Sequence, residues 1–179
     1  MADQNISLPH DAAELALVEA AIGYTFSNKK LLELALTAPV KRDPSPNYKR
    51  LEYLGDAVIE VVDIQAWIDQ GFVKGAGQKT EFSVNNRALQ AVCVDAGLQG
   101  QIRRCSKKDK KDIEALTASY ATLRLSNKAY WNQGLSCKTL GDVVESVCGA
   151  VFLDSRLKLS AVEGVFRRIH WPIVEKRLA

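Results

Sequence analysis

The sequence predicts an all-α, single-domain protein, and three observations carry that reading. Apolar residues recur at helical spacing along most of the chain, whereas the period-two alternation of strands is rare. The breaks between periodic stretches fall on helix starters and stoppers, among them Gly23, Asn28, Gly71 and Gly97. The chain has 179 residues, 47% of them apolar, which suits one domain with a real core.

Leu15, Val18 and Ile22 mark one face of a first helix over about residues 11–22, stopped by Gly23. Asn28 caps a second helix through Leu31, Leu32 and Leu36. Pro39, Pro44 and Pro46 keep the next stretch out of helix. A long helix follows from about Tyr48 to Ile68, and another from Val84 to Ala96. A basic loop leads into a short helix near Ile113–Leu123. Lys138–Asp154 is strongly helical, and Leu159–Leu178 reads as a helix kinked at Pro172.

No apolar stretch is long enough to span a bilayer, so no membrane partner is expected. The first ten residues lack the basic flank and apolar run of a secretory signal, and the first arginine is Arg42. The expected location is intracellular, in cytoplasm or nucleus rather than an organelle. Cys93, Cys105, Cys137 and Cys148 form no C-x-x-C pair, and His10 and His170 lie at opposite ends, so zinc is not expected and the thiols read as reduced.

The net charge of +3 is unevenly spread. Arg103, Arg104, Lys107, Lys108, Lys110 and Lys111 fall within nine residues that contain one acid, Asp109. Without that segment the chain carries 18 basic and 20 acidic residues. An acidic body with one basic segment suits a polyanionic partner, and a solvated surface loop would have the same composition.

Two helices each carry a pair of acids on one face. Viewed down an ideal helix, Glu52, Asp63, Asp56 and Glu60 fall within an arc of about 80°. Glu52 and Asp56 are one turn apart on that face, and Leu51, Leu54, Val58, Val61 and Val62 lie on the opposite side. On the later helix Asp142, Glu145 and Gly149 share a face surrounded by valine, leucine and phenylalanine. Like charges one turn apart cost an isolated helix a few tenths of a kcal/mol, which a cation between them would remove. Gly149 costs a helix about 1 kcal/mol relative to alanine, so close approach of another backbone is expected there. Four carboxylates make a hard, oxygen-only ligand set suited to Mg²⁺ or Mn²⁺. Spacing alone favours two acidic pairs on solvated faces, because such pairs are common.

The surrounding residues are more specific. Asn47-Tyr48-Lys49-Arg50-Leu51-Glu52-Tyr53-Leu54-Gly55-Asp56-Ala57 resembles the ribonuclease III signature. Lys138-Thr139-Leu140-Gly141-Asp142-Val143-Val144-Glu145-Ser146, continuing to Asp154, resembles that family's second motif in its Dicer-type form. Shorter stretches at 22–37 and 84–98 resemble the opening and middle helices, so the likeness covers most of residues 14–170.

The resemblance implies one ribonuclease III domain over residues 1–179, with a core at about 14–176 and a basic loop and insertion at about 103–136. It implies that Glu52, Asp56, Asp142 and Glu145 hold Mg²⁺, with Mn²⁺ as a substitute, against a phosphate of double-stranded RNA. Water attack would leave a 5′-phosphate and a 3′-hydroxyl. Lys138 matches a lysine that neutralises charge on the phosphate. Tyr53 matches the aromatic residue that inserts into the partner of a homodimer, unless it is a core tyrosine of the monomer. The segment from Arg103 to Lys111 is the expected RNA contact. Residues 166–178 look like the last helix, so no separate RNA-binding domain is expected after it.

Departures from the pattern are few. Lys49 stands where many members carry the signature's first glutamate, so a salt link between subunits is expected to be lost. Ala38 and Cys137 replace a common histidine and proline, and residues 106–136 have no counterpart. The alternative function is a non-catalytic RNA-binding protein of the same fold, such as a mitochondrial ribosomal component. Retention of four acids that would repel RNA favours the enzyme.

Overall fold

The computed structural model describes residues 10–69, 71, 84–124 and 136–170. Among these it has seven α-helices and no strand longer than one bridge. They are α1 Ala12–Ile22, α2 Lys29–Ala35, α3 Lys49–Asp69, α4 Asn86–Asp95, α5 Lys107–Arg124, α6 Lys138–Asp154 and α7 Leu159–Ile169, with a 3₁₀ turn at Leu98–Gln101. The all-α expectation holds, and α6 runs over the residues expected of it.

The centre of the fold is α6. Every residue from Thr139 to Val151 is buried, so this helix has no solvent face in its middle. Its most extensive pairing is with α3, and α4 covers another side. Two polar anchors fix its ends. Cys137, just before the helix, donates its backbone N–H to Gln90 Oε1 on α4 at 3.1 Å, and Gln90 Nε2 donates to the Tyr120 hydroxyl on α5 at 2.9 Å. At the other end Asp154 accepts from Tyr24 Oη and from the backbone N–H groups of Ser27 and Asn28, at 2.8–2.9 Å. Asn28 in turn caps α2 through Lys30 N at 3.2 Å.

The start of α1 is a capping box between Asp11 and Glu14, and Gly23 ends that helix at φ 70°. His10 Nε2 lies 2.6 Å from the carbonyl of Gln101, tying the chain ahead of α1 to the 3₁₀ turn. A single parallel bridge joins Thr37 to Arg103.

Three expectations need correction. The basic segment is not a loop up to Ile113, because α5 begins at Lys107. Ser106 starts it: its hydroxyl accepts from Asp109 N at 3.0 Å and donates to Asp109 Oδ2 at 2.7 Å. Val61, placed on the apolar face of α3, is half exposed, while Asp63, placed with the acids, is fully buried and accepts from Trp67 Nε1 at 3.1 Å. Of the helix expected over Leu159–Leu178, the described part is α7, Leu159–Ile169, and the expected kink at Pro172 and core boundary at 176 lie outside the described residues. Most of the 106–136 insertion beyond α5 lies outside them as well.

Candidate active site

The acids meet where α3 crosses α6, and two glycines decide how closely. A Cβ on Gly55 would lie 1.7 Å from the carbonyl oxygen of Glu145, and one on Gly149 would lie 2.2 Å from that of Leu51. The helices are in backbone contact at this point, which is the close approach expected from Gly149. Gly55 is within three residues of Glu52 and Asp56, and Gly149 lies one turn from Glu145 and two from Asp142, so side chains from both helices converge.

Oxygens of Glu52, Asp142 and Glu145 all come within 4.8 Å of one another. Asp142 and Glu145 are buried, and the Glu52 side chain keeps 13% of its exposure. Asp56 is exposed and lies outside this tight group, yet its charge is close enough to act on Glu145. The four acids therefore divide into a convergent trio, two of it buried and Glu52 partly so, and one outer carboxylate.

Burial, then the charges of Asp56 and Asp142, push the Glu145 carboxyl up to about 7. Glu52 behaves oppositely. Burial would raise it, but hydrogen bonds from Lys49 and Lys138 outweigh that and hold it below the usual carboxylate range. Tyr48, the residue ahead of α3, is buried and donates its hydroxyl to Asp142 Oδ2 at 3.2 Å. Burial and the neighbouring Asp142 charge hold that phenol protonated.

Two lysines enter the cluster. Lys138 Nζ donates to Glu52 Oε1 at 2.9 Å and to Asp142 Oδ1. Burial would lower its proton affinity, but the two carboxylates raise it, so it stays charged. Lys49 Nζ donates to Glu52 Oε2 at 2.5 Å and to Asp142 Oδ2 at 3.2 Å. A link from position 49 thus exists within the chain, across α3 and α6. Sequence reasoning assigned no role to Tyr48 or Lys49. The one available signal was their place within the first motif, ahead of Glu52.

This donor set fits a hard divalent cation: three convergent carboxylates, all oxygen, with a buried carboxyl that its neighbours disfavour as an anion. Residues 49–156 match the ribonuclease III domain family. The chain belongs to that family. This ribonuclease III domain is 33% identical over 165 residues to Endoribonuclease Dicer homolog 3 of Arabidopsis thaliana, covering 90% of this chain and 10% of that protein. It is 31% identical over 175 residues to Ribonuclease 3-like protein 3 of Oryza sativa subsp. japonica, covering 93% and 56% respectively. The chain thus spans about a tenth of the Dicer relative. Its fold matches the nuclease domain of ribonuclease III from Campylobacter jejuni with a TM-score of 0.65 and 22% identity, over 88% of this chain and 99% of that one.

The remaining residues assigned from sequence are placed as follows. Tyr53 is 84% exposed, so it is not a core tyrosine of the monomer. Arg103 pairs with Glu14 and Arg104 with Asp43, so both guanidinium groups tie the 102–106 segment to neighbouring parts of the fold. Lys107, Lys108, Lys110 and Lys111 lie in the first turns of α5 with their side chains mostly toward solvent, and Lys108 pairs with Asp112 at 2.6 Å. Among the described residues no helix is long and apolar enough to cross a membrane.

Proposed function

We infer that this ribonuclease III domain is an endoribonuclease that hydrolyses double-stranded RNA with Mg²⁺ or Mn²⁺, leaving 5′-phosphate and 3′-hydroxyl ends. The observation that carries the reading is the convergent carboxylate trio at the α3–α6 crossing, with Asp142 and Glu145 buried. A non-catalytic RNA-binding protein gains nothing from burying Asp142 and Glu145, because ionised carboxyls are costly to bury and repel phosphate. The names of the Dicer and ribonuclease 3-like relatives agree with nuclease activity.

Glu52, Asp142 and Glu145 would hold the cation, with Asp56 as an outer ligand. When bound, it supplies Lewis-acid activation of water and neutralises charge on the phosphate. Tyr48 fixes the orientation of Asp142 through its hydroxyl. Lys138, charged and 61% exposed, is the group placed to meet a phosphate oxygen as charge builds on it. Incubating the pure protein with long duplex RNA tests the reading. Cleavage is expected with Mg²⁺ or Mn²⁺ and none with Ca²⁺, which takes more ligands at longer distances. Cleavage that persists in a chelator would refute it.

The dimer reading rests on an apolar stripe along α3. Tyr53, Ile68 and Val61 fall within an arc of about 80° on that helix. They are 84%, 47% and 50% exposed. That row suits the two-fold contact of a homodimer, and the Campylobacter domain is described as having a region involved in dimer formation. Tyr53→Ala is expected to weaken self-association by about 2 kcal/mol, roughly thirtyfold, as buried aromatic anchors do. Sedimentation across a concentration series reads this, and an unchanged dimer constant would contradict the assignment.

Duplex binding is assigned to the start of α5. Asp109 acts electrostatically on Cys137, the residue before Lys138, so this basic helix end lies near the beginning of α6. Arg103 and Arg104, held by Glu14 and Asp43, serve it less directly than the lysines. Replacing Lys107, Lys108, Lys110 and Lys111 with alanine is expected to weaken duplex binding for every sequence. The salt dependence should flatten by about one unit of log–log slope per lost phosphate contact. A fourfold variant with the wild-type slope would show that these lysines do not touch RNA. An intracellular site of action, in cytoplasm or nucleus, completes the proposal.

A further inference from the structure

Lys49 opens α3, where a positive charge opposes the helix dipole and lowers helix stability. Its placement is therefore not explained by the helix it starts. The side chain reaches into the acid cluster and divides it with Lys138 in a regular way. Lys138 takes Glu52 Oε1 and Asp142 Oδ1, and Lys49 takes Glu52 Oε2 and Asp142 Oδ2. All four oxygens on this edge of the cluster face an ammonium, and Oδ2 also accepts from Tyr48. Lys49 is further held by the Tyr48 ring, whose centroid is 5.6 Å from Nζ.

We propose that Lys49 is a built-in cation that competes with the divalent metal for the Glu52–Asp142 edge, so that metal loading requires its ammonium to withdraw. With Glu145 ionised, as a bound cation requires, four carboxylates against two ammonium groups leave two negative charges, which one divalent ion balances. Without Lys49 three negative charges would remain, and the pull on a divalent ion would be stronger. Withdrawal is sterically open, since the Lys49 side chain is 49% exposed and its neighbour Asn47 holds only its backbone N–H, at 3.1 Å. The consequence is a nuclease whose metal affinity is tuned down by one residue of its first motif. This inference rests on the metal reading above and goes beyond it by naming what sets the affinity.

The test is Mn²⁺ binding to the intact chain, read by the electron paramagnetic resonance signal of free Mn²⁺, so that no turnover is needed. Lys49→Met is expected to tighten binding about tenfold. Lys49→Arg, which keeps the charge, is expected to stay within about twofold of wild type, separating charge from loss of the side chain. Glu145→Gln is the control for the site itself and is expected to abolish tight binding. If wild type binds, Glu145→Gln does not, and Lys49→Met matches wild type, Lys49 is not a competitor and the inference falls alone. If no variant binds, or Glu145→Gln binds as well as wild type, the metal reading falls and takes the inference with it.

Discussion

Glu145→Gln is expected to abolish duplex RNA cleavage while making the metal-free protein more stable. Both effects have one cause. Glu145 sits in a buried site beside Asp142 and Glu52, with Asp56 nearby, and its carboxyl is pushed up to about 7. Its ionised form is what a cation needs and what the metal-free fold disfavours. Glutamine keeps the shape and removes the charge. The folded carboxyl titrates near 7 against an ordinary 4.5, so its stabilising proton is fully present below about 4.5 and lost as pH rises through 7. In a chelator, the variant should therefore melt with wild type near pH 5 and above it at pH 8. Allowing for solvent screening, the gain is on the order of 1 kcal/mol, or about 2–4 °C for a chain of this size. Robust cleavage by the variant, or a lower melting temperature at pH 8, would sink the assignment of Glu145.

The helices were legible in the sequence to the extent that burial patterned them. α6 is buried all round, and its apolar run bounded by Lys138 and Asp154 reads directly as a helix. The start of α5 was not legible in this way, because lysines at a helix N-terminus oppose the dipole and resemble a solvated loop. The overlooked cue was local: Ser106 and Asp109 are spaced three apart, as in a capping box, and they bond to each other in the fold. Val61 and Asp63 were misplaced for a different reason. A helical wheel gives angles but not which angle a neighbour covers, and the stripe left open on α3 includes Val61.

The acids were legible because two motifs carry them, and each pair is set by helical spacing alone. What joins the pairs is not local. Tyr48 reaches Asp142 across 94 positions of sequence, and Lys49 reaches it across 93. Neither contact has a periodicity to betray it. The division into a convergent trio and an exposed Asp56 is likewise a product of the α3–α6 crossing, since on its own helix Asp56 shares a face with Glu52 one turn away.

That crossing supports the second large effect: Gly55→Ala is expected to cost about 3 kcal/mol or more of stability and most of the activity of whatever still folds. The added methyl would stand 1.7 Å from the carbonyl oxygen of Glu145 and 2.5 Å from its carbon. Both are backbone atoms of α6, so no rotamer change relieves the clash. Restoring ordinary contact at 3.4 Å requires the helices to part by about 1.7 Å along that line. The better helix propensity of alanine returns only about 1 kcal/mol, whereas overpacking that moves backbone typically costs about 1–3 kcal/mol and occasionally more. Parting α3 from α6 also parts Glu52 from Asp142 and Glu145, and a misplacement of about 1 Å in a reacting constellation can cost a hundredfold in rate. Gly164→Ala on α7 is the matched control. A Cβ there meets nothing within 4 Å, so that variant should gain about 0.5–1 kcal/mol and keep its activity. Urea denaturation of both variants decides the matter. A Gly55→Ala protein with the wild-type midpoint would mean that the backbones of α3 and α6 are not in contact at this glycine, and that something other than the crossing sets the distance between the acids.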